Sequence, residues 1–199
     1  MGAQISMLES MQSVAVYCGS ATGNSPAYTQ AAQELGTELA RRGLNLVYGG
    51  GNIGLMREVA QACLAAGGTV TGVMPQSLVD LEISHPGLTT LEVVGSMAER
   101  KTRMEQLADA YICLPGGVGT LEELTEVLTL QQLGHIRGPV GLVNTADFWR
   151  PFHAMYAAMA ESGFILPRFV DALVMKEKPQ DILDEFSHWS YPGTKWDND

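Results

Sequence analysis

A glycine-rich turn decides the fold of this chain: Leu114-Pro115-Gly116-Gly117-Val118-Gly119-Thr120-Leu121-Glu122-Glu123. The apolar residues 110–113 before it predict a buried strand, and a helical pattern follows it to about Gly134. Glycines at such a turn let the backbone approach a ligand closely, and the N–H groups at a helix N-terminus favour an anion, typically a phosphate. The turn therefore predicts a phosphate site with the carboxylates of Glu122 and Glu123 beside it.

Strands and helices alternate on both sides of this turn. Strands are predicted at 13–18, 44–48, 69–74, 89–94, 110–114, 139–143 and 172–175. Helices are predicted from 25 or 26 to 42, at 54–66, 97–108 and 120–133, from 145 or 146 to about 162, and at 179–186, while 76–87 fits a loop or a short helix. Short, continuously apolar strands separated by helices indicate a parallel sheet covered on both faces, an α/β, Rossmann-like doubly wound fold.

Three glycine-rich turns follow predicted strands, at 19–23, 49–54 and 116–119. In doubly wound folds, ligands bind outside the carboxyl ends of the strands, near the point where the strand order reverses. We therefore expect the three turns to converge on one ligand site.

Length and composition narrow the class of protein. With 199 residues, the chain is expected to form one domain at 13–186, with a flexible extension at 1–12 and a C-terminal tail at 187–199. A net charge of −10 argues against nucleic-acid or anionic-membrane partners. The three cysteines lack CxxC spacing, which indicates free thiols in a reducing compartment. No apolar run approaches the roughly 20 residues that cross a bilayer, so a cytoplasmic location is expected.

The turn Gly49-Gly50-Gly51-Asn52-Ile53-Gly54 formally matches the GxGxxG pattern of dinucleotide-binding proteins. That pattern also needs an acidic residue about 20 positions later to bind a ribose hydroxyl, and the next strand end, 71–75, has none. Binding of NAD or FAD in that manner is therefore disfavoured. Two interpretations stay open: a tight turn that needs unusual φ angles, or contact with a ligand phosphate or sugar.

The residues Thr120 to Glu123 also fit a purely structural motif. In a capping box, Thr120 would cap the helix and Glu123 would reach back to the N–H group of the cap. If a phosphate instead occupies the helix N-terminus, the Glu123 carboxylate lies near the sugar of the ligand. There it could accept hydrogen bonds from ribose hydroxyls, position water or stabilise a cationic sugar.

The segment Glu99-Arg100-Lys101-Thr102-Arg103 holds most of the positive charge in the middle of the chain. It fits a solvated helix face with a pair between Glu99 and Arg103, or basic groups that neutralise the phosphate. No metal is expected, because the four histidines have no ligand spacing with one another or with cysteine. Ser20 lacks a surrounding GxSxG elbow, which disfavours a serine hydrolase.

These motifs resemble one known family. The turn at 115–123 matches the PGGxGTxxE motif of the LOG family, the cytokinin riboside 5′-monophosphate phosphoribohydrolases that are often mislabelled lysine decarboxylases. Tyr17-Cys18-Gly19-Ser20, Tyr48-Gly49-Gly50-Gly51-Asn52-Ile53-Gly54-Leu55-Met56 and Met97-Ala98-Glu99-Arg100-Lys101 extend the resemblance over roughly 13–186. It implies hydrolysis of the N-glycosidic bond of an N6-modified adenosine 5′-monophosphate, or of AMP itself, without a cofactor, by a homodimer with sites near the subunit contact.

The resemblance also implies the site residues. Arg100 and Glu123 would be the catalytic pair. The substrate site would be lined by Glu82, Arg100, Lys101, Gly117, Val118, Gly119, Thr120, Leu121, Glu122, Glu123 and Thr129. Further phosphate contacts are expected at Ser20, Gly50, Gly51 and Gly116.

The chain departs from the family pattern at two positions. Ala98 stands where the family usually has histidine, and Ser96 where aspartate is common. Since Arg100 and Lys101 are present, phosphate binding and bond cleavage are expected to survive, whereas base preference and subunit contacts near that helix are the properties that these departures would affect.

Three other functions compete with this activity. A nucleotide sensor of the same fold would keep the glycine turns without needing Glu123 and Arg100 together. A pyridoxal-phosphate lysine decarboxylase needs a Schiff-base lysine, for which Lys101 is the sole candidate near the site. An NAD-dependent dehydrogenase is disfavoured by the missing acid.

Overall fold

The computed structural model describes residues 11–81 and 84–197. Its strands are β1 (Ser13–Tyr17), β2 (Asn45–Tyr48), β3 (Val70–Pro75), β4 (Thr90–Val94), β5 (Ala110–Cys113), β6 (Val140–Val143) and β7 (Val174–Lys176). Its helices are α1 (Pro26–Arg41), α2 (Gly54–Ala65), α3 (Gln76–Val79), α4 (Met97–Leu107), α5 (Val118–Leu133), α6 (Arg150–Glu161), α7 (Pro167–Asp171) and α8 (Pro179–Phe186).

The strands form one sheet in the order β4-β3-β2-β1-β5-β6-β7, and every neighbouring pair is parallel. From β1 the chain moves outward to β4, then returns to place β5 on the other side of β1. In register, Val14 of β1 pairs with Leu46 of β2 on one side and with Ala110 of β5 on the other. The strand order therefore reverses between β1 and β5, where doubly wound folds bind ligands.

Side chains alternate along the buried strands and build a core on each face. Val14 and Val16 of β1 point into a cluster with Leu35 and Leu39 of α1. Ala15 points to the other face, into a cluster that includes residues of α4, α5, α6 and α7. Because successive side chains of a strand point to opposite faces, a continuously apolar strand requires helices on both sides. The predicted doubly wound α/β fold is confirmed.

The prediction that a helix begins at Thr145 or Ala146 is wrong. A 3₁₀ turn occupies Thr145–Asp147, with Ala146 and Asp147 at φ of 54° and 60°. The Asn144 side-chain oxygen accepts a hydrogen bond from the Trp149 N–H group at 2.8 Å, which closes this turn. Helix α6 therefore begins only at Arg150, followed by Pro151 in its first turn, where proline is favoured.

The structure adds two short helices to the elements predicted from the sequence. Helix α7 was missed: it has five residues and begins at Pro167, and so short a segment carries little periodic signal. Within 76–87, which fitted a loop or a short helix, the structure has helix α3.

Both ends of the described chain contact the domain. Met11 is buried, and the Asp109 carboxylate accepts hydrogen bonds from the N–H groups of Gln12 and Ser13. Toward the other end, the Trp189 indole donates to the Ala172 carbonyl at 2.7 Å and the Tyr191 hydroxyl to the Gln131 carbonyl at 3.1 Å. Most of the predicted extension, residues 1–10, lies outside the described residues, and the domain boundaries stay a prediction.

None of the helices in the described residues is both long and apolar enough to span a membrane.

Candidate active site

The glycine turns predicted to converge are joined by backbone hydrogen bonds. The Gly19 N–H group donates to the Pro115 carbonyl at 3.1 Å, and the Leu55 N–H group donates to the Gly19 carbonyl at 3.0 Å. The turns after β1 and β5 and the start of α2 therefore form one unit at the carboxyl edge of the sheet.

Glycine is required where these turns touch. A Cβ atom on Gly116 would lie 2.1 Å from the Thr120 hydroxyl oxygen, far inside van der Waals contact. A Cβ atom on Gly54 would lie 2.3 Å from the Ser20 carbonyl carbon, and Gly54 also has a positive φ of 54°. Any side chain at either position would separate the turns.

The N-terminus of α5 is left without a side-chain cap. Gly117 is the N-cap residue, so the helix starts two positions before the predicted Thr120. The N–H groups of 117–120 donate no hydrogen bond to any residue that the structure describes. The capping box does not form, because Thr120 lies inside the first turn and Glu123 bonds elsewhere. These N–H groups are therefore free to bind an anion.

Glu123 forms a buried ion pair with Arg100 of α4. The Arg100 Nη1 atom donates to the Glu123 Oε1 atom at 3.1 Å, and the two side chains are only 10% and 11% exposed. The Arg100 Nε atom donates to the Val73 carbonyl at 3.2 Å. A Cβ atom on Gly49 would lie 1.8 Å from the Arg100 Nη2 atom, so the guanidinium lies directly against the backbone of that glycine. Arg100 is thus held from three sides.

Burial sets the electrostatics of the pair. It raises the pKa of the Glu123 carboxyl above its usual value, although the Arg100 guanidinium acts in the opposite direction. Burial and the nearby Glu123 charge raise the pKa of the Tyr17 hydroxyl well above its usual value, so this phenol stays protonated. Perturbed carboxyl groups in clefts are typical of catalytic sites. A carboxylate in this setting can accept a proton from water or stabilise a positive charge on a ligand.

The pair faces a cavity of about 270 Å³, here called the main cleft. Its lining consists of Val16, Tyr17, Cys18, Ser20, Gly49, Met56, Met97, Arg100, Gly117, Val118, Gly119, Thr120, Glu122 and Glu123. The main cleft thus joins the free N–H groups to the Glu123 carboxylate, the two groups that the glycine turn predicts side by side.

Lys101 connects two helices beside the main cleft without lining it. Its ammonium group pairs with the carboxylate of Glu122 and, at 2.9 Å, with that of Glu126, both on α5. The hydrogen bonds that the ammonium group donates to these two carboxylates raise the pKa of Lys101 to about 12. In this structure the lysine binds acidic side chains of its own chain.

Other predicted site residues lie apart from the main cleft. Leu121 and Thr129 are exposed on α5, and the Thr129 hydroxyl donates to the Thr125 carbonyl at 2.7 Å. The Gly50 carbonyl accepts from the His85 N–H group, and Gly51 forms an antiparallel bridge with Ser84, so both lie under the following loop.

Ser20 lines the main cleft, whereas Gly116 lines a neighbouring recess. Glu82 lies outside the described residues.

The sequence predicted Gly49 at the site only as part of the turn at 49–54, and it did not single out Met56 or Met97 as lining the main cleft. Gly49 is the first residue after β2, and that position at a carboxyl strand end was the available signal. The methionines gave no such signal, because their spacing is typical of core residues.

Among the described residues, the side chains of Ser96 and Ala98 form no hydrogen bond with the Arg100 or Glu123 side chain. The Ser96 hydroxyl oxygen accepts from the Glu99 N–H group at 3.2 Å, and the Glu99 carboxylate accepts from the Gly95 N–H group at 2.9 Å. Ser96 therefore caps α4, as aspartate also would. Arg103 pairs with Glu92 of β4, so the predicted pair between Glu99 and Arg103 does not form. Ala98 is exposed.

Comparisons with known proteins find relatives over most of this chain. A family model described as "Possible lysine decarboxylase" matches residues 56–186. The chain is 42% identical over 188 residues to the cytokinin riboside 5′-monophosphate phosphoribohydrolase LOG of Oryza sativa subsp. japonica, covering 93% of this chain and 78% of that protein. It is 46% identical over 157 residues to the cytokinin riboside 5′-monophosphate phosphoribohydrolase of Rhodococcoides fascians, covering 78% of this chain and 79% of that protein.

A solved structure shares the fold. The molybdenum cofactor binding protein from Rippkaea orientalis matches with a TM-score of 0.70 at 21% identity, over 89% of this chain and 96% of that chain. At this identity, the likeness shows the fold alone.

Proposed function

Because this chain belongs to the LOG family of cytokinin riboside 5′-monophosphate phosphoribohydrolases, we propose that it hydrolyses the N-glycosidic bond of an adenosine 5′-monophosphate. The adenine is N6-modified or unmodified, and the products are the free base and ribose 5-phosphate. The observation that carries this proposal is the buried pair of Arg100 and Glu123 beside the free N–H groups of 117–120.

The 5′-phosphate binds at the N-terminus of α5. Phosphates bind there because the N–H groups point at the anion and the helix dipole favours negative charge. This local attraction is needed, since the chain as a whole carries a net charge of −10. A phosphate held at 117–120 places the ribose over Glu123, one turn further along the helix.

Glu123 directs water to the C1′ atom of the ribose. Its carboxylate accepts a proton as the water oxygen bonds to C1′, and its charge stabilises the oxocarbenium-like sugar. The bonding electrons leave with the base, which is released after taking up a proton. Arg100 offsets part of the desolvation cost of the carboxylate and fixes its orientation.

Replacement of Glu123 tests this mechanism. We expect Glu123→Gln to lower kcat for AMP by about 10²- to 10⁴-fold, the usual contribution of a general base, with nearly unchanged affinity. Released adenine measured by chromatography gives the rate, and calorimetry gives the affinity. Glu161→Gln, an equivalent change on the exposed face of α6, should keep full activity.

A different pattern would contradict the assignment. If Glu123→Gln weakened AMP binding but turned over normally at saturation, Glu123 would be only an anchor. If the parent protein bound AMP and N6-modified adenosine 5′-monophosphates but released no free base from either, it would be better described as a nucleotide sensor.

We propose further that the protein is a homodimer. Several apolar side chains are exposed on β4, α4 and α5: Leu91, Val93, Met97, Val118 and Leu121. Met97 and Val118 also line the main cleft, and exposed apolar surface beside a cleft is typical of interaction sites, including subunit contacts. Light scattering on the purified protein should give twice the mass of 21.4 kDa. A monomer would contradict it.

A reducing, cytoplasmic location is part of the same proposal. The three cysteines are buried free thiols, which is typical of proteins from such compartments.

A further inference from the structure

A second cavity adjoins the main cleft on the other side of the glycine turns. This side recess has a volume of about 200 Å³ and is lined by the turns at 19–23 and 115–117 and by Tyr28, Leu55 and Phe148. Ser20 and Gly117 line both cavities, so the two adjoin at these residues. A cavity of about 150 Å³ suffices for a benzene ring, so one aromatic ring system fits the side recess.

The aromatic side of this recess is held in place by an unusual turn. Phe148 follows Ala146 and Asp147, which both have left-handed φ angles although neither is glycine. Such strained residues persist only where the surrounding structure fixes them, and they cluster at ligand sites. The Phe148 ring meets the Tyr28 ring edge to face, with centroids 6.0 Å apart, and is 36% exposed. An exposed ring beside a second ring is able to stack on a planar ligand.

The backbone between the two cavities is suited to more than one phosphate. The N–H groups of 20–23 donate no hydrogen bond within the described part of the chain, and those of 117–120 are also free. Successive unpaired N–H groups at turns bind anions. A single 5′-phosphate occupies only one of these two groups. Residues 20–23 line the side recess, whereas 118–120 line the main cleft.

The two cavities also flank the point where the strand order reverses. Both cavities are lined by the turns that follow β1 and β5, between which the order reverses. The main cleft adds residues of α4 and α5, whereas the side recess adds Tyr28 of α1 and Leu55 of α2. In doubly wound folds, ligands with two halves bind across this crevice, with their phosphates in the middle.

We propose that the side recess binds a second base joined to the substrate through a 5′-diphosphate bridge, so that the site accepts dinucleotides. The adenosine half occupies the main cleft, the two phosphates lie on the free N–H groups of 117–120 and 20–23, and the second base stacks against Phe148. This inference rests on the proposed function, since it takes the position of the first phosphate from it.

Two ligands that differ only in the second base test the inference. Diadenosine 5′,5′-diphosphate and ADP-ribose carry the same adenosine and diphosphate, but ADP-ribose ends in a sugar. Calorimetry uses the Glu123→Gln protein, so that hydrolysis does not interfere. We expect the dinucleotide to bind at least about fivefold more tightly than ADP-ribose, because stacking of one base on an aromatic side chain typically supplies that much.

Two variants in the Glu123→Gln background locate the effect. Phe148→Leu keeps an apolar side chain but removes the ring, and it should bring the affinity ratio of the two ligands to within about twofold. Phe164→Leu, at a phenylalanine that is 83% exposed and lines neither cavity, should keep the ratio. Tyr28→Leu is the alternative if Phe148→Leu does not fold. Because both ligands are measured on the same protein, partial unfolding cancels in the ratio.

The outcomes separate the inference from the proposed function. Equal affinity for the two ligands in a protein that still binds AMP overturns the inference alone, as does a ratio that Phe148→Leu leaves unchanged. Failure to bind AMP at all overturns both.

Discussion

The two edges of the sheet carry cavities of very different character. At the amino edge, a cavity of about 480 Å³ is lined by residues that precede β1, β5 and β6, among them Glu105, Asp109 and Arg137. At the carboxyl edge, the main cleft has only about 270 Å³. On size alone, the amino edge would be the better candidate site.

The polar groups favour the carboxyl edge as the functional site. At the amino edge, Asp109 accepts hydrogen bonds from two backbone N–H groups, and the Arg137 guanidinium lies 5.7 Å from the Tyr191 ring centroid. Their interactions hold the fold together. At the carboxyl edge, N–H groups lack partners and an ion pair is buried beside an opening. Polar groups without structural partners therefore mark the functional edge better than volume does.

The largest expected effect comes from Arg100. Arg100→Ala leaves the Glu123 carboxyl buried without its partner, which typically destabilises a protein by about 3–5 kcal/mol. On the proposed mechanism it should also lower kcat for AMP by about 10²- to 10³-fold, as loss of one charge-stabilising group does. Thermal unfolding and adenine release measure the two effects.

Arg137→Ala is the control at the other edge. It removes the same side chain from the larger cavity and should leave kcat unchanged. Equal loss of activity in both variants would remove the functional distinction between the two edges.

A pair of glycine substitutions sharpens the comparison. A Cβ atom on Gly49 would lie 1.8 Å from the Arg100 Nη2 atom, and one on Gly138 would lie 1.9 Å from the Asp109 carbonyl oxygen. The steric conflict is thus equal, but one displaces a proposed catalytic side chain and the other a backbone group. Displacement of a catalytic group by 1 Å can cost about 10²-fold in rate, so Gly49→Ala should lose activity while it stays folded.

Gly138→Ala should show the opposite behaviour. The guanidinium of Arg100 is at the end of a flexible side chain and can move away from a new Cβ atom. The Asp109 carbonyl cannot move in this way, because its backbone leads directly into β5. We expect a lower Tm and a normal kcat per folded molecule, measured by calorimetry and by the adenine assay at a temperature where the variant is folded. An inactive but thermally stable Gly138→Ala protein would contradict this interpretation.

The sequence predicted the parts of this molecule that depend on local pattern. Apolar runs and glycine stops predicted the sheet, and the turn at 116–119 predicted free N–H groups beside Glu123. What it could not predict depends on contacts between distant segments. Arg100 is oriented by Val73 and lies against Gly49, and neither contact leaves a trace in the spacing of residues.

The sequence also could not predict which of several possible partners a polar side chain would bind. The segment 99–103 was compatible with a solvated helix face or with a phosphate, and only the packing of α4 against α5 gives Lys101 the partners Glu122 and Glu126. Similarly, the side chain of Asn144 overrides the helical pattern from 145 onward.

The smallest expected effect is a pH dependence at the amino edge. Burial, reinforced by the Glu126 charge and opposed by Lys101, raises the pKa of Glu105 from 4.5 to about 7. Between these values the folded state holds a proton that the unfolded state has released, so the free energy of unfolding falls as the pH rises. Glu105→Gln stays neutral throughout and removes that decline. Its free energy of unfolding should therefore match that of the parent protein near pH 4.5 and exceed it above pH 7, as chemical denaturation at several pH values would measure.

If the free energies of unfolding of the two proteins changed with pH in parallel, Glu105 would titrate normally. Because Glu105 lies at the structural edge, kcat for AMP should be unaltered, and a matching shift in the pH profile of kcat would show instead that the two edges are coupled through α4.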